Sequence, residues 1–259
     1  MHQNTPSPLL TIAYSSLASR ANKIELPQYR DDVEILIIVQ DPTGETQFIP
    51  PSRSDVRAIQ LESIGVAKSR NEAIEQAKGT YLIFADDDIE FNAKGLEAVL
   101  DHFKVCDCAL VLGQAVDEKN VLRKNYPTQI QKLNRFNSAR AATYEMVIDV
   151  KKVRESNLKF DENFGAGVTN YLGDEYIFIA DLLRSGSRAH FLPATLATHP
   201  TDSSGSGWGT SRDLAVRSKI FTRVFGWYAP IVRILFISKH RDKVQGIGNA
   251  VAFVLGRFR

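Results

Sequence analysis

The stretch that most constrains this chain is an apolar run of strand length, residues 81–85, that ends in three consecutive carboxylates, Asp86, Asp87 and Asp88. An unbroken apolar run reads as a strand buried on both faces, the signature of a parallel sheet, delivering its carboxyl end to the surface. Adjacent carboxylates repel one another more strongly as water is excluded, so such a cluster calls for a hard, oxygen-seeking cation. Mg²⁺ or Mn²⁺ suits it better than zinc, because no His or Cys stands in the cluster. The plainer reading is a solvated acidic turn, with one acid capping a helix that starts near Asn92 or Ala93.

The flanking sequence supplies the rest of an α/β sheet. Strands are expected at 9–14, 33–39 and 56–61, with a break at Ser15-Ser16, a short helix at 19–23 and turn chemistry at 40–44. Residues 65–79 form a helix with apolar positions Ala67, Ala73, Ile74 and Ala77, closed by Gly79. Further on come a helix at 93–103, strands at 109–113 and 144–148, helices at 150–155 and 172–186, and a closing strand at 188–193. Strands alternating with helices make a doubly wound, mostly parallel sheet, and ligands of such sheets sit outside the carboxyl ends of the strands. One crevice would therefore collect Tyr14 to Ser16, Gln40 and Asp41, and Asp86 to Asp88.

Gly65, then Ser69-Arg70-Asn71, then Ala77-Lys78-Gly79, then a strand ending in Asp86-Asp87-Asp88 follow in order and at family spacing. This run resembles the family 2 glycosyltransferases of the GT-A fold, inverting enzymes of the bacterial polysaccharide-biosynthesis type. The resemblance implies a Rossmann-like sheet flanked by helices over about residues 9–200. It also implies a nucleotide diphosphate sugar bound by Tyr14, Ser15, Asp41, Arg70, Asp86 and Asp87, with Asp86 and Asp88 on the metal. Here Ala13-Tyr14-Ser15-Ser16 replaces the family's Pro-Thr-Tyr-Asn, and Gln40-Asp41 replaces its paired acids. For Arg70 a surface ion pair with Glu72 or Glu75 is the alternative to a nucleotide contact.

Phe160-Asp161-Glu162 leading into Gly165-Ala166-Gly167 resembles a second family block, whose glycines let backbone approach the sugars. At the start of the 172–186 helix the family's Gly-Glu-Asp appears reversed, as Gly173-Asp174-Glu175. Counting back from Gly186 matches Glu175 with the family's catalytic base and Asp174 with its acidic neighbour; complementing the helix dipole is the plainer role for both. His199, after the final strand, stands where many relatives place a histidine that helps hold the metal, and a surface or core role is open to it too. The activity so implied is a metal-dependent single displacement from a nucleotide sugar to a hydroxyl of a glycan or lipid-linked glycan. Nucleotidyl transfer to a sugar phosphate, or a non-catalytic scaffold with the same fold, are the alternatives; the former lacks its Gly-rich loop after the first strand.

Within the 259 residues, the net charge of +2 hides an asymmetry. Residues 212–259 hold ten Lys or Arg against two Asp, on a body with six more acids than bases. The domain therefore divides as 1–210 and a basic tail, 211–259, with residues 201–210, rich in Ser and Gly, as a lid. Basic tails meet anionic partners, nucleic acid or a lipid surface. The interleaving of Phe221, Phe225, Trp227, Tyr228 and Phe236 with Arg favours helices lying in an anionic membrane interface over nucleic acid, and an ordinary core-packing helix pair is the alternative. Cys106 and Cys108 are spaced badly for a mutual disulfide or a two-pair zinc site, which points to a reducing compartment. Neither a signal segment nor an uninterrupted span-length apolar stretch is legible, so the expected location is cytoplasmic, peripheral on the inner face of the membrane.

Overall fold

The computed structural model describes residues 7–44, 48–200, 209–241, 243, 244 and 246–258. In chain order these form β1 (Leu10–Leu17), α1 (Ala18–Ala21), β2 (Val33–Gln40), β3 (Val56–Leu61), α2 (Val66–Gln76), β4 (Tyr81–Ala85), β5 (Glu90–Phe91), α3 (Ala93–Val105) and β6 (Leu110–Val116). There follow β7 (Gln131–Lys132), β8 (Met146–Asp149), α4 (Val150–Glu155), α5 (Asp174–Arg184), β9 (Ala189–Thr198), α6 (Ser211–Phe225), α7 (Ala229–Lys239) and α8 (Ile247–Leu255). The strands make one sheet in the order β3-β2-β1-β4-β8-β6-β9-β5, with β7 on β9. Pairing is parallel through β3, β2, β1 and β4 and between β6 and β9, while β8 runs antiparallel between β4 and β6. This is the expected α/β architecture of GT-A type.

Alternation along β2 shows why its sequence is nearly all apolar. Leu36 and Ile38 enter the core layer under α2, α4 and α5, while Ile35, Ile37 and Val39 enter the layer under α1 and α3. A strand covered on both faces has no solvent side, and its polar exceptions, Glu34 and Gln40, are buried with hydrogen-bond partners. Gly95 and Gly79 mark close approaches: a Cβ on Gly95 would fall 1.7 Å from the Thr195 carbonyl oxygen, and one on Gly79 would fall 2.5 Å from the Thr11 nitrogen.

Three local readings change. The Ser15-Ser16 break is absent: β1 runs through both serines to Leu17, because each residue pairs with β2 as far as Gln40. The closing strand runs ten residues, past Pro193 to Thr198; its pairing with β6 slips between Leu112 and Gln114, where Pro193, lacking an N–H, falls in the irregular segment. Cys106 and Cys108 are joined as a disulfide, since the chain bends between α3 and β6 and brings their Cα atoms to 5.3 Å, within disulfide reach. Most of the expected lid, residues 201–208, lies outside the described residues.

The C-terminal helices pack on one another and on the sheet domain. Val216, Ile220, Val224 and Phe225 of α6 bury against Phe164 and against Tyr176, Ile177 and Ala180 of α5. Residues Ser211–Lys239 form the one stretch, among the described residues, that is long enough to cross a bilayer and holds an 18-residue window apolar enough to do so, of mean hydropathy 1.5. It is not an uninterrupted apolar run: Arg217, Lys219, Arg223 and Arg233 stand within it, and it doubles back at Gly226 (φ +57°). Phe221 and Phe236, fifteen residues apart, meet with ring centroids 5.1 Å apart, where a straight helix would separate them by about 22 Å. Buried Arg233 pins the turn, donating to the carbonyls of Ser218 (2.7 Å) and Val254 (3.0 Å) and to the Thr222 hydroxyl. Part of the basic excess is thus internal: Arg223 pairs with Asp161 and Asp181, and Arg217 with Asp213.

Candidate active site

The carboxyl ends of β1, β2, β4, β6 and β9 open on one side of the sheet, and β4 delivers the three acids there. They do not act alike. Asp87 turns back to the scaffold, where its Oδ2 accepts from Ser16 Oγ (3.1 Å) and pairs with Arg20 Nε (2.9 Å). Asp86 and Asp88 stay open, their side chains 38% and 49% exposed. Desolvation at the crevice floor raises the Asp86 carboxyl above its ordinary value, with Asp88 and Asp87 adding to it and Arg70 and His199 opposing.

His199, buried at the end of β9, stacks on Tyr144 with centroids 4.9 Å apart. Its Nδ1 lies 2.7 Å from the Pro200 carbonyl oxygen, which can only accept, so Nδ1 carries the proton. In the neutral ring Nε2 is then a bare acceptor, 4.0 Å from Asp88 Oδ1. Two acceptors facing each other are reconciled by a proton or a metal ion. The oxygens of Asp86 and Asp88 with one imidazole nitrogen are a donor set that Mg²⁺ or Mn²⁺ accepts. Among the described residues these three do not bring their ligand atoms within 4.8 Å of one another, because Asp86 leans instead to Arg70 Nη2 at 3.6 Å.

Arg70 is the hinge of the site. Its side chain is 7% exposed, and Nη1 donates to Asp174 while Nη2 faces Asp86. The helix neighbours Glu72 and Glu75 are not its partners. Burial works against its charge, yet Asp174, Asp86 and Glu175 together hold its pKa above the ordinary value. Its Nε is buried without a hydrogen-bond partner.

Asp174 and Glu175 open α5 after Gly173, whose φ of +89° and lack of a side chain let Ile220 of α6 approach to 2.3 Å of where a Cβ would stand. Asp174 is buried on Arg70. Glu175 is half-buried, and burial, the Asp174 charge and a hydrogen bond with Asp174 push its carboxyl up to about 8, against the pull of Arg70. The Gly165 to Gly167 loop serves this arrangement from inside: a Cβ on Gly165 would fall 2.9 Å from the Asp174 carboxyl, and Ala166 accepts from the first amide of α2 at 2.9 Å.

Residues 7–179, about two thirds of the chain, match the sequence profile described as glycosyl transferase family 2. The chain belongs to that family. It is a glycosyltransferase of GT-A fold. Among solved structures it is similar to S. aureus TarS 1–349 in complex with UDP (13% identity, 90% of this chain and 72% of that one, TM-score 0.55). It is likewise similar to TarS 1–349 in complex with UDP-GlcNAc (13% identity, 92% and 74%, TM-score 0.57) and to a further structure of TarS 1–349 (12%, 95% and 80%, 0.57). No curated protein matches the chain.

On the side where the resemblance places the nucleotide, this glycosyltransferase arranges Ser15, Asp41 and Tyr14 differently from one another. Ser15 Oγ accepts from Ser69 Oγ at 2.8 Å, linking β1 to α2. Asp41 is 3% exposed and accepts from Gln60 Nε2 (3.1 Å), Thr43 Oγ1 (2.9 Å) and the Gly44 amide (3.1 Å), so it also shapes the turn after β2. Tyr14 is 1% exposed and packs in the core layer under α1 and α3. Gln40 Oε1 takes the Gly65 amide at 2.7 Å, tying the second strand end to the α2 turn. Sequence reasoning brought Ser16 to the crevice without its bond to Asp87, 71 positions away, and passed over Arg20 and Tyr144, whose partners Asp87 and His199 lie 67 and 55 positions away; no local pattern marks such pairs.

Proposed function

We propose that this glycosyltransferase moves a sugar from a nucleoside diphosphate sugar to a hydroxyl of a glycan or lipid-linked glycan in one inverting displacement. The observation that carries the reading is Glu175, a carboxyl poised near neutrality beside the Asp174–Arg70–Asp86 chain that leads to the acidic crevice. As the acceptor oxygen bonds to the anomeric carbon and the bond to the diphosphate breaks, the hydroxyl proton passes to Glu175. No side chain of the protein enters as nucleophile, so the anomeric centre inverts. Asp174, occupied by Arg70, holds that guanidinium in place and is the weaker candidate for the base. A Mg²⁺ or Mn²⁺ held by Asp86, Asp88 and Nε2 of His199 would neutralise the charge gathering on the leaving diphosphate. The ligands named for TarS make UDP and UDP-GlcNAc the first to test.

Glu175→Gln should retain metal-dependent thermal stabilisation by the donor and lose transfer, since only the proton acceptor goes. Transfer by Glu175→Gln at the wild-type rate would sink the assignment of the base, and full donor-induced stabilisation of wild type in EDTA would sink the metal.

The acceptor side of this reading rests on α7, α8 and the turn before them. Trp227 in the turn before α7, Ile231, Ile234 and Leu235 of α7, and Ile247 and Leu255 of α8 are all at least half exposed, on a segment that also exposes Lys239, Arg241 and Arg257. Such a segment suits an anionic lipid surface, where basic residues contribute about 1 kcal/mol each and the apolar groups insert. The full chain should pellet with anionic vesicles and less with neutral ones, and Trp227→Glu with Ile247→Glu should release it. Equal pelleting of wild type and variant would remove the membrane from the reading.

A further inference from the structure

At the end of the sheet opposite the crevice, four soft donors converge. His102 and Cys106 lie four apart on the last turn of α3 and its cap, Cys108 sits in the bend before β6, and His190 is the second residue of β9. One ligand atom from each lies within 4.8 Å of the others. The backbone enforces this meeting: the Ala109 amide donates to Arg188 at 2.8 Å, Val111 pairs with His190, and Lys132 of β7 pairs with His190 from the other side. Nine residues of strand, on the order of 30 Å, separate His190 from His199, so this cluster is no part of the active site.

We propose that His102, Cys106, Cys108 and His190 form a Cys₂His₂ site for Zn²⁺ in the thiol form of the chain. The chemistry of the donors selects the ion: two sulfurs with two imidazole nitrogens are a tetrahedral zinc set, unlike the hard oxygens around Asp86. The spacing fits too. His102 Nε2 and His190 Nδ1 are 3.1 Å apart, and two nitrogens bound about 2.0–2.1 Å from a tetrahedral zinc stand about 3.3 Å apart. Two ring nitrogens turned toward each other otherwise need a proton between them. Two thiolates neutralise the dication, so the nearby charges of Lys132 and Arg188 meet no net positive centre. Asp107, between the cysteines, pairs outward with Lys152 (2.6 Å) and Arg188 (3.2 Å) and leaves the four donors to themselves.

The balance is simple. In the disulfide form, a dithiol reductant supplies two electrons and two protons to give both thiols, and is itself oxidised to a cyclic disulfide. Zn²⁺ then displaces the two thiol protons, forming two Zn–S and two Zn–N bonds. A crosslink over a three-residue loop restrains little chain entropy, whereas a bound ion ties α3, the bend and β9 together.

The test uses the full chain, reduced with a dithiol, supplied with zinc and desalted. Metal analysis should find one zinc per chain, two thiols should titrate once the protein is unfolded in chelator, and Co²⁺ in its place should give the absorption of a tetrahedral thiolate site. His190→Ala and Cys106→Ser, neither of them a residue at the core's centre, should each lower zinc retention against a competing chelator at least tenfold. Asp88→Ala should leave zinc content unchanged. Two titratable thiols without zinc, or no titratable thiols and no zinc after reduction, would each overturn the proposal. So would zinc retained by both variants as tightly as by wild type.

Discussion

Glu34 and Glu175 are both acids that the fold draws out of water, at opposite ends of the same sheet, and they are surrounded in opposite ways. Glu34 accepts from Thr11 Oγ1 (2.7 Å), the Lys78 amide (2.8 Å) and the Arg57 guanidinium through Nε (3.0 Å) and Nη2 (2.8 Å). Every lone pair has a donor, and the charge is compensated where it sits. Glu175 has Asp174 for its nearest neighbour, and the guanidinium that could compensate it is already shared between Asp174 and Asp86. The first arrangement holds β1, β2 and β3 to the turn before β4. The second leaves a carboxyl short of partners, which is what a proton acceptor requires. Burial alone therefore does not mark a site; burial without compensation does.

The sharpest way to break this contrast is Glu175→Gln, expected to lower kcat by about 10²- to 10⁴-fold with donor affinity held, in a direct transfer assay. Asp174→Asn comes next, because it strands Arg70 in the interior. Its cost should be about 3 kcal/mol in chemical denaturation, and a cost below 1 kcal/mol would mean that Arg70 finds water. Glu34→Ala should cost about 2 kcal/mol, less because Arg57 is partly exposed and can rehydrate, with donor-induced stabilisation intact.

The pH dependence sharpens the comparison further. Glu175 binds its proton more tightly folded than unfolded, so its stabilising contribution is complete in acid and is lost as pH rises through about 8. Wild type should thus fall behind Glu175→Gln in stability from the ordinary carboxylate range up to about pH 8, then run parallel to it. Transfer should rise over the same range as the base deprotonates, and a stability difference that stays flat with pH would show that Glu175 is compensated after all. The smallest effect is expected at Asp88→Ala. Relief of like charge should keep stability within about 0.5 kcal/mol of wild type, while metal-dependent donor binding disappears.

Elements were legible wherever period and punctuation agreed. The nearly all-apolar β2, the β4 run and the helices α2 and α5 stand where the sequence places them, because buried strands and amphipathic helices leave a local imprint; α2 nevertheless ends at Gln76, before the expected closing Gly79. Pairing partners leave none. Nothing near Ser16 in the chain announces Asp87, and nothing near Arg70 announces Asp174, 104 residues away. Cys106 and Cys108 were misread for a related reason: their spacing is a property of the chain, but their meeting, and their meeting with His102 and His190, is a property of the bend between α3 and β6 and of its backbone pairing with β9.

By itself, then, the sequence determined the family, the sheet and the acids that reach its carboxyl edge, since each is written in contiguous residues whose burial and charge act locally. Only the tertiary structure decided which acid is compensated and which is left poised, that Tyr14 serves the core, that the 211–239 stretch folds back on itself, and that two histidines stand beside two cysteines. Those outcomes depend on distances between residues far apart in the chain, and electrostatic and coordination energies follow distance in space, not separation in sequence.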